Sequence, residues 1–216
     1  MQKFHRIYRA TFEIGKSKKS EAGRRELVVD KVITIENPIS LNLHIDLRMT
    51  GGQPNSGLFQ FLNLSPQVQA DLWKDKFTNV TKIIFMTLEA GYGYTDDKDG
   101  KFAMPVIFKG IVQICTSHKE SGGVDWITNV QAIEGGLCYQ YGFINTTFTE
   151  GTKFDDIANY ILENDKETKP GYISPDIKPL PRNKTFIGQT MDILGREYGG
   201  YDVFIDKGKL NILGEN

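Results

Sequence analysis

Residues Leu41 to Trp73, LNLHIDLRMTGGQPNSGLFQFLNLSPQVQADLW, are the most informative part of this chain for its fold. Apolar and polar side chains alternate from Leu41 to Leu47, which predicts a half-buried strand with the four apolar residues on one face. A loop rich in glycine, proline and asparagine follows, and a second alternating run from Leu58 to Leu64 predicts another strand. Ser65 and Pro66 then have the residue types of a helix N-cap and a first helical position.

The same strand pattern continues on both sides of this stretch, over residues 1–148. Further strands are predicted at Phe4–Phe12, Leu27–Ile35, Lys82–Gly91, Val106–Cys115 and Trp126–Ile133. Many short strands with regular turn signals indicate an antiparallel β-barrel or sandwich. An aromatic residue in such a strand, Phe61 above all, is expected to be packed inside.

The period changes in residues 149–216, where we expect a small α/β domain. Thr152 and Asp155 predict a helix cap, followed by apolar residues at helical spacing from Phe154 to Leu162. A proline-rich connector at 167–183 is expected to form no regular element. A second helix is predicted from Thr185 to Tyr198 with Ile187 facing inward, and then a hairpin from Tyr201 to Leu213. The fold class is therefore α+β and mainly β.

Composition excludes several classes of protein. The 216 residues carry 26 basic and 27 acidic side chains, so the net charge of -1 gives no global signal for nucleic acid or an anionic membrane. Cys115 and Cys138 make no disulfide framework and are expected to be buried thiols. Neither a signal peptide nor a run of membrane-spanning length is present, which indicates a soluble protein made in the cytoplasm, without a membrane anchor.

The sequence contains no complete pattern for a catalytic, cofactor or metal site. Asp96 to Gly100 looks like a calcium loop, but the bidentate carboxylate is missing at its last position, and a solvated hairpin tip is expected instead. His5, His44 and His118 lack metal-ligand spacing, and the Gly-x-Ser-x-Gly elbow is absent. We therefore expect no enzyme and no cofactor.

Aromatic residues form 11% of the chain, a fraction that could serve base stacking. Stacking platforms need basic residues on the same face, and here the strand aromatics lie among apolar residues. They are expected to be core residues or subunit contacts: Phe59, Phe61, Phe85, Phe108 and Trp126.

A series of short motifs, in order along the chain, resembles the tail-tube-like barrels of bacteriophage baseplate hub proteins, the late control protein family. They are Pro54-Asn55, Phe61–Ser65, Leu88–Tyr92, Ile107–Val112, Asp125–Thr128, Ala132–Gly136, Ile144–Phe148, Phe186–Gly188, Met191–Leu194 and Gly208–Leu213. The resemblance implies a virion protein of the tail baseplate, assembled in the host bacterial cytoplasm. It implies a homo-oligomeric ring, a trimer, that joins the tail tube protein to the central spike protein, contacts other baseplate proteins, and lets DNA pass without specific binding.

For such a ring we expect two loops to contact neighbouring proteins, Arg48 to Gly57 and Gly15 to Arg25. The contact residues proposed are Arg48, Gln53, Pro54, Asn55, Lys18, Lys19, Arg24 and Arg25. For the basic loop, a solvated surface loop without a partner is the alternative.

Other interpretations stay open. Hub proteins of this type continue beyond the segment that resembles Leu210 to Leu213, so the chain is either part of a longer hub or a reduced hub completed by a partner. A tail adaptor or distal tail ring of other stoichiometry is a second assembly role. From other classes come a small-ligand or peptide-binding β-barrel, and an enzyme whose site is built from unremarkable residues.

Overall fold

The computed structural model describes residues 4–19, 25–48, 53–74, 82–94, 104–163, 168–197 and 201–214. Within these ranges the chain is mainly β-stranded with antiparallel sheets and a few short helices, which confirms the predicted fold class. It divides into two compact units. The first unit comprises Met1–Ser17, Leu27–Ile45 and Ser56–Ile133, and the second comprises Lys18–Glu26, Asp46–Asn55 and Glu134–Asn216.

The first unit is built on one sheet of seven strands with a short helix. Its elements are β1 (Phe4–Lys19), β2 (Arg25–Glu36), β3 (Leu41–Asp46), β4 (Ser56–Leu62), α1 (Pro66–Leu72), β5 (Lys82–Tyr94), β6 (Val106–Lys119) and β7 (Trp126–Glu134). The strand order is β2-β1-β5-β6-β7-β4-β3, so β2 and β3 are the edges. β1 and β2 extend well into the segment Gly15 to Leu27, which the sequence had suggested to be a loop.

The sheet curls around a single core. Phe61 of β4 is fully buried and its ring lies 5.9 Å from the ring of Phe12 on β1. Since β1 and β4 are separated by three strands in the sheet order, this contact crosses the core. Leu58, on the opposite face of β4, is 37% exposed, so the predicted alternation is confirmed. All seven strands contribute apolar side chains to this core.

Two local predictions in the first unit have different outcomes. The cap of α1 is confirmed, because the Ser65 hydroxyl accepts a hydrogen bond from the Val68 amide at 3.4 Å and Pro66 begins the helix. The prediction that the four apolar residues from Leu41 to Leu47 share one buried face is wrong in part. Leu41 and Ile45 pack against the core, whereas Leu43, on the edge strand β3, and Leu47 are exposed. An edge strand has a neighbour on only one side, so alternation there guarantees less burial.

In its described residues, the second unit combines two small sheets with three helices. Its elements are α2 (Gly136–Tyr141), β8 (Phe143–Phe148), α3 (Phe154–Glu163), β9 (Lys169–Ile173), β10 (Lys184–Gln189), α4 (Thr190–Glu197), β11 (Tyr201–Asp206) and β12 (Lys209–Gly214). β8 pairs with β10, and β12 lies between β11 and β9. The helical spacing from Phe154 to Leu162 is confirmed, since all five apolar residues of that face are buried.

Three features of the second unit differ from expectation. The proline-rich connector contains β9, which runs parallel to β12 at a sheet edge, where Pro170 needs no ladder donor. The predicted helix from Thr185 is a strand, β10, followed by α4, and Ile187 is 62% exposed rather than inward. Thr152 does not cap α3 as predicted; its hydroxyl donates to the Thr149 carbonyl at 2.7 Å.

The C-terminal hairpin and the cysteines are as predicted. β11 and β12 pair in register around Lys207 and Gly208, whose positive φ angles of 51° and 72° suit a tight two-residue turn. Cys115 and Cys138 are buried free thiols. In the described part of the chain, no helix has the length and apolar character needed to cross a membrane.

Candidate assembly surfaces

The predicted contact loop around Pro54 is anchored inside the second unit by Asn55. The side chain of Asn55 is 2% exposed, and its amide nitrogen donates to Glu134 Oε2 at 2.8 Å and to the Ile205 carbonyl at 3.0 Å. Its Oδ1 accepts from the Arg48 amide at 2.5 Å. The structure thus places the Asn55 side chain inside the second unit, and its role in a subunit contact stays a prediction.

Glu134 is the second member of this buried polar cluster. Its Oε1 accepts from the amide of Lys207 at 3.0 Å, and its own amide donates to the Asn55 carbonyl at 2.9 Å. The carboxylate is 1% exposed, and both of its oxygens have backbone or amide donors. The cluster thus joins the loop, the end of β7 and the β11–β12 turn, as a buried charged group requires.

The remaining residues of this loop present a polar surface. Arg48 Nη2 lies 3.0 Å from Asp46 Oδ2, and both side chains are about half exposed. Gln53 is exposed and Pro54 is partly buried. The carbonyl of Gln53 accepts from the Tyr139 hydroxyl at 3.4 Å, and burial raises the pKa of Tyr139 above its usual value, so this hydroxyl remains a donor.

The two ends of the predicted basic loop belong to the strands β1 and β2. Lys18 and Lys19 are the last residues of β1, and Arg25 is the first residue of β2. Arg24 lies outside the described residues, as does the Asp96 to Gly100 segment. The contact role of this loop stays a prediction.

Both edges of the seven-stranded sheet carry exposed apolar side chains. On β2 these are Val28, Val29 and Val32, and on β3 Leu43. An edge strand also leaves one row of backbone amides and carbonyls without a ladder partner, which makes it a template for pairing with another chain. Asp30 and Lys31 interrupt the apolar run of β2, and such charges discourage unspecific pairing.

A groove of about 560 Å³ in the first unit, which we name the tryptophan groove, is lined by Trp73, Trp126, Pro66, Leu64, Ala70 and smaller polar groups. Trp73 and Trp126 are 43% and 44% exposed, and they are the two tryptophans of the chain. Trp126 was expected to be a core residue or a subunit contact, and its exposure shows that it is not a core residue. The four phenylalanines named with it are buried.

Lysines hold the C-terminal end of α1. Lys82 Nζ donates to the carbonyls of Asp71 and Trp73 at 2.5 and 2.9 Å, and Lys74 Nζ donates to the Val112 carbonyl at 2.6 Å. Burial, with a smaller contribution from the charge of Lys82, lowers the pKa of Lys74 to about 8. Lys31 donates to Asp71 at 2.5 Å, and this bond is the main reason that the pKa of Asp71 is lowered.

The amines of Lys82 and Lys74 are hydrogen-bonded to backbone carbonyls, and Lys82 thereby anchors the C-terminal end of α1. Across the described ranges, no group of three or more histidine, cysteine, aspartate or glutamate side chains could hold a metal ion. His44 and His118 are exposed on separate strands.

No protein-family model matches the chain, and no curated protein matches its sequence. Solved structures do match its fold. The 43 kDa tail protein of prophage MuSo2 from Shewanella oneidensis has a TM-score of 0.52 at 11% identity, over 95% of this chain and 52% of that one. The tail protein from Neisseria meningitidis MC58 has a TM-score of 0.51 at 13% identity, over 94% of this chain and 50% of that one.

A chain of the lidded Francisella PdpA-VgrG complex also matches, with a TM-score of 0.52 at 14% identity over 95% of this chain and 28% of that chain. The present chain spans about half the length of the two tail proteins and less than a third of the chain in the complex. It therefore has a fold found in phage tail proteins. The resemblance seen in the sequence is confirmed for the fold.

Proposed function

We propose that this chain is a structural subunit of a phage tail or a related injection machine, and that it forms the ring of a baseplate hub. The observation that supports this proposal is the curled seven-stranded sheet followed by a small α/β unit, a fold shared with two phage-type tail proteins. The likeness is one of fold, so the role rests on it together with the assembly surfaces of the chain.

The ring closes by contacts between the edges of neighbouring sheets. The exposed valines of β2 and Leu43 of β3 are covered when a neighbouring copy pairs with the open ladder. Such head-to-tail contacts use two different surfaces of each copy and close into a ring when the rotation between copies permits it. Three copies form the hub in this proposal, with the tail tube on one side and the central spike on the other.

The loops predicted to contact neighbours have defined tasks in this ring. Arg48, Gln53 and Pro54 reach adjacent baseplate proteins, while Asn55 holds them in place from inside. Lys18, Lys19, Arg24 and Arg25 supply positive charge for a second contact. DNA passes through the channel without specific binding, in keeping with a net charge of -1.

Co-expression with a tail tube protein and a spike protein, followed by electron microscopy of the purified complexes, tests the proposal. We expect ring-shaped particles with three copies of the chain. A different copy number in a ring would favour the adaptor or distal tail ring, and a chain that stays monomeric with all its neighbours would refute an assembly role.

A variant pair sharpens this test. Val32→Lys places a charge on the exposed apolar edge of β2 and is expected to prevent ring formation without changing the melting temperature of the monomer. Val124→Lys is the matched control, because Val124 is even more exposed but lies in the turn before β7. Equal ring formation by both variants would contradict pairing through β2.

A further inference from the structure

The tryptophan groove has the character of a site for an uncharged, extended segment. None of the described residues that line it is charged, although a quarter of all residues in the chain are charged. Its polar side chains are already used within the unit: Gln69 Nε2 donates to the Leu64 carbonyl at 2.6 Å, and Asn63 bonds Asp125 and the Trp126 amide. Two broad apolar rings and their edges are what a partner would meet.

The two indole N–H groups are the unused donors of the groove. Among the described residues neither indole has a hydrogen-bond partner. A tryptophan that becomes buried needs an acceptor for this donor. A segment that covers the groove must therefore bring free acceptors and flat apolar side chains together.

The chain itself exposes such a segment, the residues Pro175–Arg182, which we name the proline strap. Leu180 is buried in the second unit, and its amide and carbonyl are bonded to Thr152 and Gly151. Pro179 and Pro181 on either side of it are exposed. Their carbonyls have no hydrogen-bond donor among the described residues.

We propose that the tryptophan groove of one copy binds the proline strap of a neighbouring copy. Extended proline-rich segments dock in aromatic grooves because their backbone is already ordered before binding, so little conformational entropy is lost. Pro179 and Pro181 stack on the indole rings, and their carbonyls accept from the indole N–H groups. This contact rests on the proposed ring, for which it supplies a second head-to-tail interface.

Charge complements the shape of the two surfaces. Asp125, next to Trp126 at the rim of the groove, bonds Asn63 through Oδ1 and has no cation beside it in the described part of the chain. Lys178 and Arg182 flank the exposed prolines and likewise have no carboxylate partner among the described residues. In the docked arrangement one of these cations faces the rim carboxylate and strengthens the contact.

Complementation between two full-length variants tests the contact. Trp73→Ser/Trp126→Ser removes the groove and keeps the strap, whereas Pro179→Ser/Pro181→Ser removes the strap and keeps the groove. Each variant alone is expected to self-associate at least roughly tenfold more weakly than the parent chain, because buried tryptophans dominate interfaces. An equimolar mixture is expected to form a two-copy complex, since one intact contact remains, and sedimentation velocity measures it.

A second measurement keeps the proposal testable if the variants fold poorly or the ring has other strong contacts. The peptide SPDIKPLPRN, residues 174–183, is titrated into the full chain while tryptophan emission is recorded, since both emitters lie in the groove. A blue shift that saturates, and that is lost with serines at positions 179 and 181 of the peptide, supports the contact.

The outcomes separate this contact from the ring itself. Rings that form equally well with either variant, together with no response to the peptide, overturn the groove–strap contact and leave the proposed function standing. Absence of the two-copy complex in the mixture, together with no peptide response, also overturns it. A parent chain that binds the peptide but never assembles with itself or with tail proteins supports the groove and overturns the ring.

Discussion

The two units of this chain are stabilised by different kinds of interior. The first unit packs aromatic and aliphatic side chains from seven strands, and Thr128, paired with Ser117, is the buried polar residue among those described. The second unit buries Asn55 and Glu134 and uses their hydrogen bonds to join three distant segments. Apolar burial tolerates many partners, whereas a buried amide and carboxylate accept only a few. The first interior therefore depends mainly on apolar volume, whereas the second adds to its own apolar core a set of hydrogen bonds with fixed geometry.

The strongest test of this difference is the replacement of Phe61 by aspartate. A charge in the centre of the first core has no partner, so we expect loss of the folded first unit and no soluble assembly. Phe61→Ala measures the apolar part, and its free energy of unfolding should fall by about 3–5 kcal/mol in urea titrations. Leu58→Asp, on the outer face of the same strand, is the control and should fold. Unchanged stability of Phe61→Ala would contradict a volume-dependent core.

A matched pair in the second unit compares β10 with α4. Leu194→Ala removes a fully buried side chain and is expected to lower the free energy of unfolding by about 2–5 kcal/mol. Ile187→Ala is expected to change it by less than about 0.5 kcal/mol, because the side chain is largely exposed. Chemical denaturation measures both. A larger effect at Ile187 would contradict the exposure of its side chain on β10.

The buried polar cluster is probed by Asn55→Ala, which leaves Glu134 Oε2 and the Ile205 carbonyl without this donor. We expect a loss of about 1–3 kcal/mol. Asn55→Asp should cost more, because it brings a second carboxylate to the side of Glu134. Tryptophan fluorescence would report on the first unit, where both tryptophans lie. The stability of the second unit is therefore measured by hydrogen exchange of the β12 amides. Asn145→Ala, exposed on β8, is the control; an equal effect there would argue against the cluster.

A different kind of effect, a dependence of stability on pH, concerns Lys74, a polar exception in the first unit. Its pKa falls from 10.5 in the unfolded chain to about 8 in the fold, so between these values the unfolded state binds more protons. The cost of burying this charge is complete below pH 8 and is relieved as the pH rises toward 10.5. Relative to Lys74→Met, the parent chain should therefore gain stability from pH 7.5 to pH 10, as measured by urea unfolding at each pH.

The control for this pH dependence is Lys153→Met, which changes an exposed lysine of the second unit. From pH 7.5 to pH 10, the free energy of unfolding of this variant should change with pH in the same way as that of the parent chain. If Lys74→Met also runs parallel to the parent chain, the burial of the Lys74 amine does not influence stability.

Sequence patterns predicted the first unit well because its interior is periodic. Phe59 and Phe61 alternate with Leu58 and Gln60, and a single face decides which of them is buried. Ser65 and Pro66 act within a few residues of their own helix. Such signals are local, and local signals need no knowledge of the distant chain.

The second unit was harder because its elements depend on partners far along the chain. β9 exists through parallel pairing with β12, and Pro170 in isolation indicates a break. Phe186 and Ile187 fit a helix by apolar content, and only the pairing of β10 with β8 decides for a strand. The link from Asn55 to Glu134 spans 79 residues, and the Pro54-Asn55 turn type gave no sign of it.

The division of the chain has a practical consequence for anyone who wishes to study its halves. The second unit takes in the segment Asp46–Asn55, so a product cut before Glu134 would lack the amide that completes the Glu134 site. A C-terminal fragment should consequently need residues 46–55 supplied as a separate peptide before the Glu134 carboxylate regains its hydrogen bond from Asn55. The second unit is thus discontinuous in sequence, because it includes an early segment of the chain, and no single cut can separate it intact.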